Sequence, residues 1–364
     1  MKAFDGTGND GQPPLKRPRR RRYSGTHPKN YQQKYKEHNI SAYPEIKAHL
    51  LAKGKTPAGS HIPVLTEEVI ACLQPKSGEI IVDCTVGYGG HASEFIKHIE
   101  PSGKLIALDV DSAELERTRG RLSKENVPVS FYRSNFAGIG KVLKKENLDG
   151  CDIIFADLGV SSMQIDNPER GMSYKNEGPL DMRMDDRLKQ TGADLLNSLS
   201  EEELSEAFLE LADEPDHQKI ARRIVTQRGV RAITQTSQLV DVVFDAKGII
   251  KKIWRQQRRT SKSGLLHPAA RTFQALRILV NDELGCLREL LRVAPYCLHP
   301  GGRIGIISFH SGEDHLVKQS FRDGVRNGIY QLAAEDAIVP QFKEINLNPR
   351  SASAKFRWAV LKSP

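Results

Sequence analysis

The 364-residue chain contains no run of 18 apolar residues, so no membrane-spanning helix is predicted. Cysteine is scarce: Cys72, Cys84, Cys151, Cys286 and Cys297 include no CxxC pair. An odd number of cysteines among apolar neighbours predicts buried thiols in a reducing compartment, with no disulfide, no zinc and no other metal site. An apolar h-region is missing from the first thirty residues, which argues against secretion. Arg17 and Arg19 to Arg22 resemble a nuclear or organellar address, but Asp5 and Asp10 interrupt the stretch and transit peptides are acid-poor. The expected location is therefore cytoplasmic. Neither glycine periodicity nor apolar depletion is present, which leaves a soluble globular protein. The length exceeds what one core usually fills, so a main domain with a large insertion or a second domain is expected.

Charge is unevenly placed. Residues 1–60 hold 13 Lys or Arg against 4 Asp or Glu, which accounts for the whole net charge of +9. This segment is rich in Gly, Pro, Lys, Arg, Asn and Tyr without apolar periodicity, and reads as a mostly disordered basic arm. A neutral body carrying a basic arm suits a phosphate-bearing partner, the plainer alternative being a solvated tail.

From His61 onward, short apolar runs alternate with helical patterns. Ile80–Cys84, Leu105–Val110, Val129–Tyr132, Ile153–Ala156 and, much later, Ile304–Phe309 each have the length of a buried strand. Helically spaced connections between the first four predict a parallel sheet covered by helices. The alternation stops from Asn167 to Ser263, where the pattern reads as helical throughout. Ser200 and Glu203 form a capping box ahead of Leu204, Ala207, Phe208 and Leu211; further helices are expected around Ile220 and Ile224, and around Leu239 and Val243. A long helix through Phe273, Leu276, Leu279 and Leu284 should lead back to the sheet. The expected organisation is thus an arm (1–60), the first part of a sheet domain (61–166), an inserted helical domain (167–263) and the second part of the sheet domain (264–364).

The first strand runs into Thr85-Val86-Gly87-Tyr88-Gly89-Gly90-His91, a glycine turn opening a helix. Glycine there permits positive φ and close approach to a ligand, and the helix start offers unpaired amides. The next strand ends in Asp109, placed to accept hydrogen bonds from both hydroxyls of a ribose. The dinucleotide pattern GxGxxG is not matched, which disfavours a pyrophosphate. S-adenosylmethionine needs only the glycine turn, the carboxylate and an adenine pocket, which Phe136 can cover unless it is plain core packing. The fourth strand ends in Asp157, followed by Leu158-Gly159-Val160-Ser161-Ser162-Met163-Gln164, at the sheet edge where open α/β folds place reacting groups. His310, in Ser308-Phe309-His310-Ser311, should face the same cleft, or else be a hydrogen-bonded structural histidine. Lys247, Lys251, Lys252, Arg255, Arg258, Arg259 and Lys262 surround Trp254 without an acid among them. They read as a phosphate track with an aromatic for base stacking, or as a solvated helix face with Trp254 turned inward.

From His61 to Leu361 these segments resemble the bacterial and organellar small-subunit ribosomal RNA cytosine-N4 methyltransferases, the RsmH or MraW family. The resemblance rests on His61-Ile62-Pro63-Val64-Leu65, Gly89-Gly90-His91, Asp157 to Ser162, Arg170-Gly171-Met172-Ser173, Gly178-Pro179-Leu180-Asp181-Met182-Arg183-Met184, His267-Pro268-Ala269-Ala270-Arg271-Thr272-Phe273-Gln274-Ala275-Leu276-Arg277 and Ser308 to Ser311. The arm 1–60 is not covered by it. The resemblance implies a class I methyltransferase sheet, Rossmann-like and mostly parallel, interrupted by a helical RNA-recognition domain. It also implies S-adenosylmethionine as methyl donor and the small ribosomal subunit with its rRNA as partner, with a homodimer left open. Carried onto this chain, the cofactor contacts are Gly89, Gly90, His91, Asp109, Phe136, Asp157 and Gln164. Asp157 and His310 are the catalytic candidates, Asp157 keeping both cofactor and substrate roles. The competing readings are a non-catalytic ribosome-assembly factor, and a methyltransferase acting on another nucleic acid or a protein. A nicotinamide dehydrogenase is disfavoured by the unmatched GxGxxG.

Overall fold

The computed structural model describes residues 63–260 and 265–363. The basic arm and Lys262 lie outside the described residues.

Seven strands form one sheet: β1 (Ile80–Asp83), β2 (Lys104–Asp109), β3 (Val129–Arg133), β4 (Cys151–Asp157), β5 (Leu298–Ser308), β6 (Tyr330–Ala333) and β7 (Lys355–Leu361), in the order β3-β2-β1-β4-β5-β7-β6. β1 to β5 pair in parallel, and β7 runs antiparallel to both β5 and β6. This is the class I methyltransferase arrangement, a mostly parallel Rossmann-like sheet. Strand order reverses between β1 and β4, the switch point at which open α/β sheets leave a crevice beyond the strand ends.

Side chains alternate between two cores, as strand geometry requires. Val82, Ile106, Ile154 and Ile306 point to one face; Ile81, Leu105, Ile153 and Ile307 point to the other. The first face is covered by α4 (Ile139–Lys145), α12 (Glu283–Cys297) and α13 (Ser311–Arg326), the second by α1 (Thr66–Leu73), α2 (Gly90–Ile99) and α3 (Ser112–Leu122). Burial on both faces explains why these strands read as unbroken apolar runs. β6 and β7 had no such signal: β6 is four residues with two exposed, and β7 mixes Lys355, Arg357 and Trp358 into its run.

Between β4 and β5 lie α5 (Ser162–Asp166), then α6 (Gly192–Ser198), α7 (Glu201–Ala212), α8 (His217–Val230), α9 (Thr236–Ala246), α10 (Lys251–Thr260) and α11 (Ala270–Asn281). The Ser200–Glu203 capping box is present and α7 begins there. Two expectations need correcting. Residues 167–191 are not helical beyond one short 3-10 turn at Pro168–Arg170. The long helix expected past Leu266 is two helices, broken at Asp282, whose φ of 47° is left-handed. Phe273 and Leu276 of α11 pack with Leu204, Phe208, Ile220 and Leu239 in a third core separate from the sheet, so the helical module includes α11 as well.

Candidate active site

A cavity of about 490 Å3 opens at the carboxyl ends of β1, β2 and β4, within the range of small-molecule sites. The glycine turn forms its floor. Gly87 and Gly89 have φ of 44° and 76°, and a Cβ on Gly89 would lie 2.8 Å from the Thr118 side chain. The Gly87 amide donates to Asp109 Oδ2 at 2.8 Å, and the Asp111 amide donates to Oδ1 at 2.8 Å. Asp109 is thus aimed by backbone amides while it lines the cavity.

Gly90, His91, Asp109, Phe136, Asp157 and Gln164 all line this one cavity; Gly89 and His310 are not among its lining residues. The Gln164 amide is engaged locally: its oxygen accepts from Ser161 N at 2.9 Å and its nitrogen donates to Asp111 at 3.0 Å. Gly89 acts as the left-handed N-cap of α2. Phe136 both lines the cavity and packs against the sheet core, so its two readings coexist.

Asp157 is held through its backbone, whose amide donates to Thr85 Oγ1 at 2.7 Å. Its Oδ1 is buried and finds no hydrogen-bond partner among the described residues. Burial, with the charges of Asp83 and Glu313, pushes its carboxyl up to about 8. Burial likewise takes Asp83 to about 7 and Asp109 to about 6. His91 donates from Nε2 to the Val64 carbonyl at 2.9 Å and turns Nδ1 toward Asp157 Oδ2, 3.8 Å away. Desolvation lowers this imidazole to about 4, so it remains neutral and leaves the acids uncompensated.

His310 is placed differently from the expectation. It is the N-cap of α13, its Nδ1 accepting from the Glu313 amide at 3.4 Å while Nε2 lies 3.2 Å from Glu313 Oε1. The cavity wall there is Phe309 and Glu313. Glu283, His310 and Glu313 bring their potential ligand atoms within 4.8 Å of one another, a grouping the sequence pattern did not suggest. Arg277, however, already forks onto both oxygens of Glu283 at 2.8 Å. The three-residue offset from His310 to Glu313, the same signature that marks Ser200 and Glu203, was the available signal for Glu313.

Behind the wall, Arg170 donates to Asp111 Oδ2 at 2.7 Å and to the Arg183 carbonyl at 3.0 Å, locking two sequence motifs together. On the helical module the basic track is narrower than the sequence suggested. Lys247, half-buried, pairs with the buried Glu214 at 2.7 Å, and Lys251 pairs with Asp241. Trp254 is buried against Phe244 and His267, so it is not free to stack on a base. Lys252, Arg255 and Arg258 remain exposed.

Residues 58–362 match the sequence profile of the MraW methylase family. A protein of Lachnoclostridium phytofermentans named ribosomal RNA small subunit methyltransferase H 1 is 41% identical over 364 residues, 99% of this chain and 97% of its own. Ribosomal RNA small subunit methyltransferase H 2 of Alkaliphilus metalliredigens is 42% identical over 350 residues, 95% of this chain and 98% of its own. A Geobacter protein named ribosomal RNA small subunit methyltransferase H is 42% identical but covers only 82% of this chain. The first two alignments extend into residues 1–60, which corrects the expectation that the arm stands outside the resemblance. Among solved structures, a methyltransferase of Streptococcus mutans bound to SAH aligns over 83% of this chain and 99% of its own, at 13% identity and a TM-score of 0.35.

Proposed function

The chain belongs to the MraW methylase family, a premise from which we infer that it methylates small-subunit ribosomal RNA with S-adenosylmethionine, at the exocyclic N4 of a cytidine in the decoding region. The observation that carries the cofactor assignment is the buried, unpartnered Asp157 Oδ1 in a cavity also lined by Asp109. A site with this surplus of carboxylates is stabilised by a cationic ligand and not by a phosphate. S-adenosylmethionine supplies an electrophilic methyl group on a positively charged sulfur.

This chain's residues do the positioning. Asp109 takes the ribose hydroxyls, Phe136 covers the adenine, and the turn at Gly89, Gly90 and His91 with Asp157 and Gln164 takes the amino-acid end. The amine of cytosine is a weak nucleophile because its lone pair is delocalised into the ring. Asp157 and the carbonyls after it accept hydrogen bonds from that amine, drawing nitrogen toward tetrahedral geometry in near-attack range. His310 contributes through the wall residue it holds. The helical module provides the RNA wall, where Lys252, Arg255 and Arg258 meet phosphates. The partner is the small ribosomal subunit, and the location is the cytoplasm. No helix among the described residues is long and apolar enough to cross a membrane.

The test is mass spectrometry of small-subunit rRNA after incubating the protein and S-adenosylmethionine with methylation-deficient subunits. New N4-methylcytidine in the decoding region is expected. Methylation of another atom or base would replace the acceptor assignment, and no methylation with cofactor bound would remove the enzymatic one. Asp157→Asn is expected to reduce turnover by about 100-fold or more; wild-type turnover and cofactor affinity would refute both of its roles.

A further inference from the structure

On the α13 side the cavity is lined by Glu313 and not by His310. A capping-box glutamate normally sits at the surface, because its task is only to reach back to a backbone amide. Glu313 performs that task, accepting from Phe309 N at 2.8 Å, yet it is 2% exposed and lines the cavity. His310 sits against this same residue: its Nδ1 accepts from the Glu313 backbone amide, and its buried Nε2 lies 3.2 Å from Oε1 without making a hydrogen bond. Behind them Arg277, half-buried and clamped to Glu283, adds a positive charge. Burial pushes the Glu313 carboxyl up, but His310, the Phe309 amide and Arg277 outweigh it and hold the group below its ordinary value.

The chain therefore keeps Glu313 ionised while its charge helps hold the neighbouring Asp157 protonated. Two cavity-lining acids driven in opposite directions by their surroundings are the usual sign of divided roles. An exocyclic amine presents two N–H donors, and cytosine N4 is a donor that Asp and Glu side chains accept. We propose that Glu313 is the second acceptor for the substrate amine and takes its proton, with His310 as the positioning residue that holds it. As the nitrogen lone pair forms the new C–N bond, the C–S bond breaks with its electron pair going to sulfur. The positive charge left on nitrogen is discharged by transfer of one N–H proton to the Glu313 carboxylate. This rests on the acceptor being an exocyclic amine, as inferred above.

The experiment compares wild type, Glu313→Gln, Glu313→Asp and His310→Asn, all full chains, by single-turnover methylation of methylation-deficient small subunits between pH 4 and 9. S-adenosylhomocysteine affinity and thermal melting are measured alongside. Glu313→Gln is expected to lower the rate about 100-fold or more with KM for subunits and cofactor affinity within about threefold, and Glu313→Asp to recover part of it. His310→Asn keeps an N-cap acceptor, so it should lower the rate less and move the acid limb of the profile to higher pH, since Glu313 loses the neighbour that holds its pKa down. A folded Glu313→Gln within threefold of wild type overturns the proposal, as does a larger loss in His310→Asn than in Glu313→Gln. Should Glu313→Gln fail to fold, the His310→Asn profile decides: a raised acid limb supports the assignment and an unmoved one overturns it. Wild type that forms no N4-methylcytidine removes the amine reading itself, a different failure seen in a different arm.

Discussion

His91 Nδ1 lies 3.8 Å from Asp157 Oδ2; desolvation lowers the imidazole to about 4, while desolvation with the charges of Asp83 and Glu313 raises the carboxyl to about 8. The two shifts act on stability in different pH windows. A folded-state carboxyl near 8 keeps a proton that the unfolded chain releases near pH 4, so stability falls as pH rises between those values. A histidine lowered to about 4 acts the opposite way, but only below about pH 6.5, where the unfolded imidazole takes up a proton. From pH 6.5 to 8 Asp157 acts in the same direction as Asp83, at about 7, and as His299, whose imidazole Asp152 and Asp149 hold above its ordinary value against desolvation. The ligand-free protein should therefore melt at a lower temperature at pH 8 than at pH 6.5. Asp157→Asn should flatten that slope, and an equally steep slope in the variant would assign it elsewhere.

The same protonated carboxyl links cofactor binding to pH. A cationic ligand near Asp157 favours its ionised form, so binding near pH 7 should expel a proton and affinity should rise toward pH 8. Calorimetry in two buffers of different ionisation enthalpy measures the proton count. S-adenosylmethionine should release more than S-adenosylhomocysteine, which lacks the sulfonium charge, and Asp157→Asn should abolish the difference. Equal proton release by the two ligands would contradict the placement of positive charge beside Asp157.

What could be read from the sequence follows from how local each signal is. β1 to β4 are legible because strands buried on both faces carry unbroken apolar runs, and the place of Asp109 and Asp157 at the cavity because each ends such a run. β7 was not, since the aliphatic stems of Lys355 and Arg357 are accommodated by pairing with Asp314, a tertiary partner 41 and 43 residues away. The break at Asp282 escaped because the apolar spacing continues through it on both sides. His310 follows the end of β5, but the direction of its ring depends on Glu313, a contact that apolar periodicity does not encode. Trp254 was ambiguous for a similar reason: its burial depends on Phe244 and His267, which periodicity within α10 does not reveal.

Removing the exposed cations of α10 tests the RNA wall. Lys252, Arg255 and Arg258 changed together to Ala should weaken small-subunit binding and reduce the slope of log affinity against log salt by about 2, at roughly 0.7 for each single-strand phosphate no longer neutralised. Arg258 also sits over the Trp254 ring at 5.3 Å, so a Lys252 and Arg255 double variant separates charge from packing. Cofactor affinity should not change, because none of the three lines the cavity. An unchanged salt slope would place the RNA-binding surface elsewhere than on this helix.

Gly171 and Gly120 should respond oppositely to the same substitution. Gly171, in the motif Arg170-Gly171-Met172-Ser173, has φ of 63°, and a Cβ there would fall 1.9 Å from the Pro179 carbonyl oxygen. That oxygen belongs to the backbone of a second motif, which Arg170 also grips through the Arg183 carbonyl, so it cannot turn aside. Gly171→Ala must therefore separate two segments beside the cavity, at a cost of about 3 kcal/mol or more, and should lower cofactor affinity as Arg170 loses its hold on Asp111. Gly120 lies inside α3 with nothing within 4 Å of its Cβ position. Gly120→Ala should stabilise the protein by about 0.5–1 kcal/mol with cofactor binding unchanged. Denaturant unfolding of the two variants distinguishes a loop closed by backbone packing from one merely rich in glycine. Equal, small effects at both positions would mean that the 170–183 segment does not require the approach of Gly171 to Pro179.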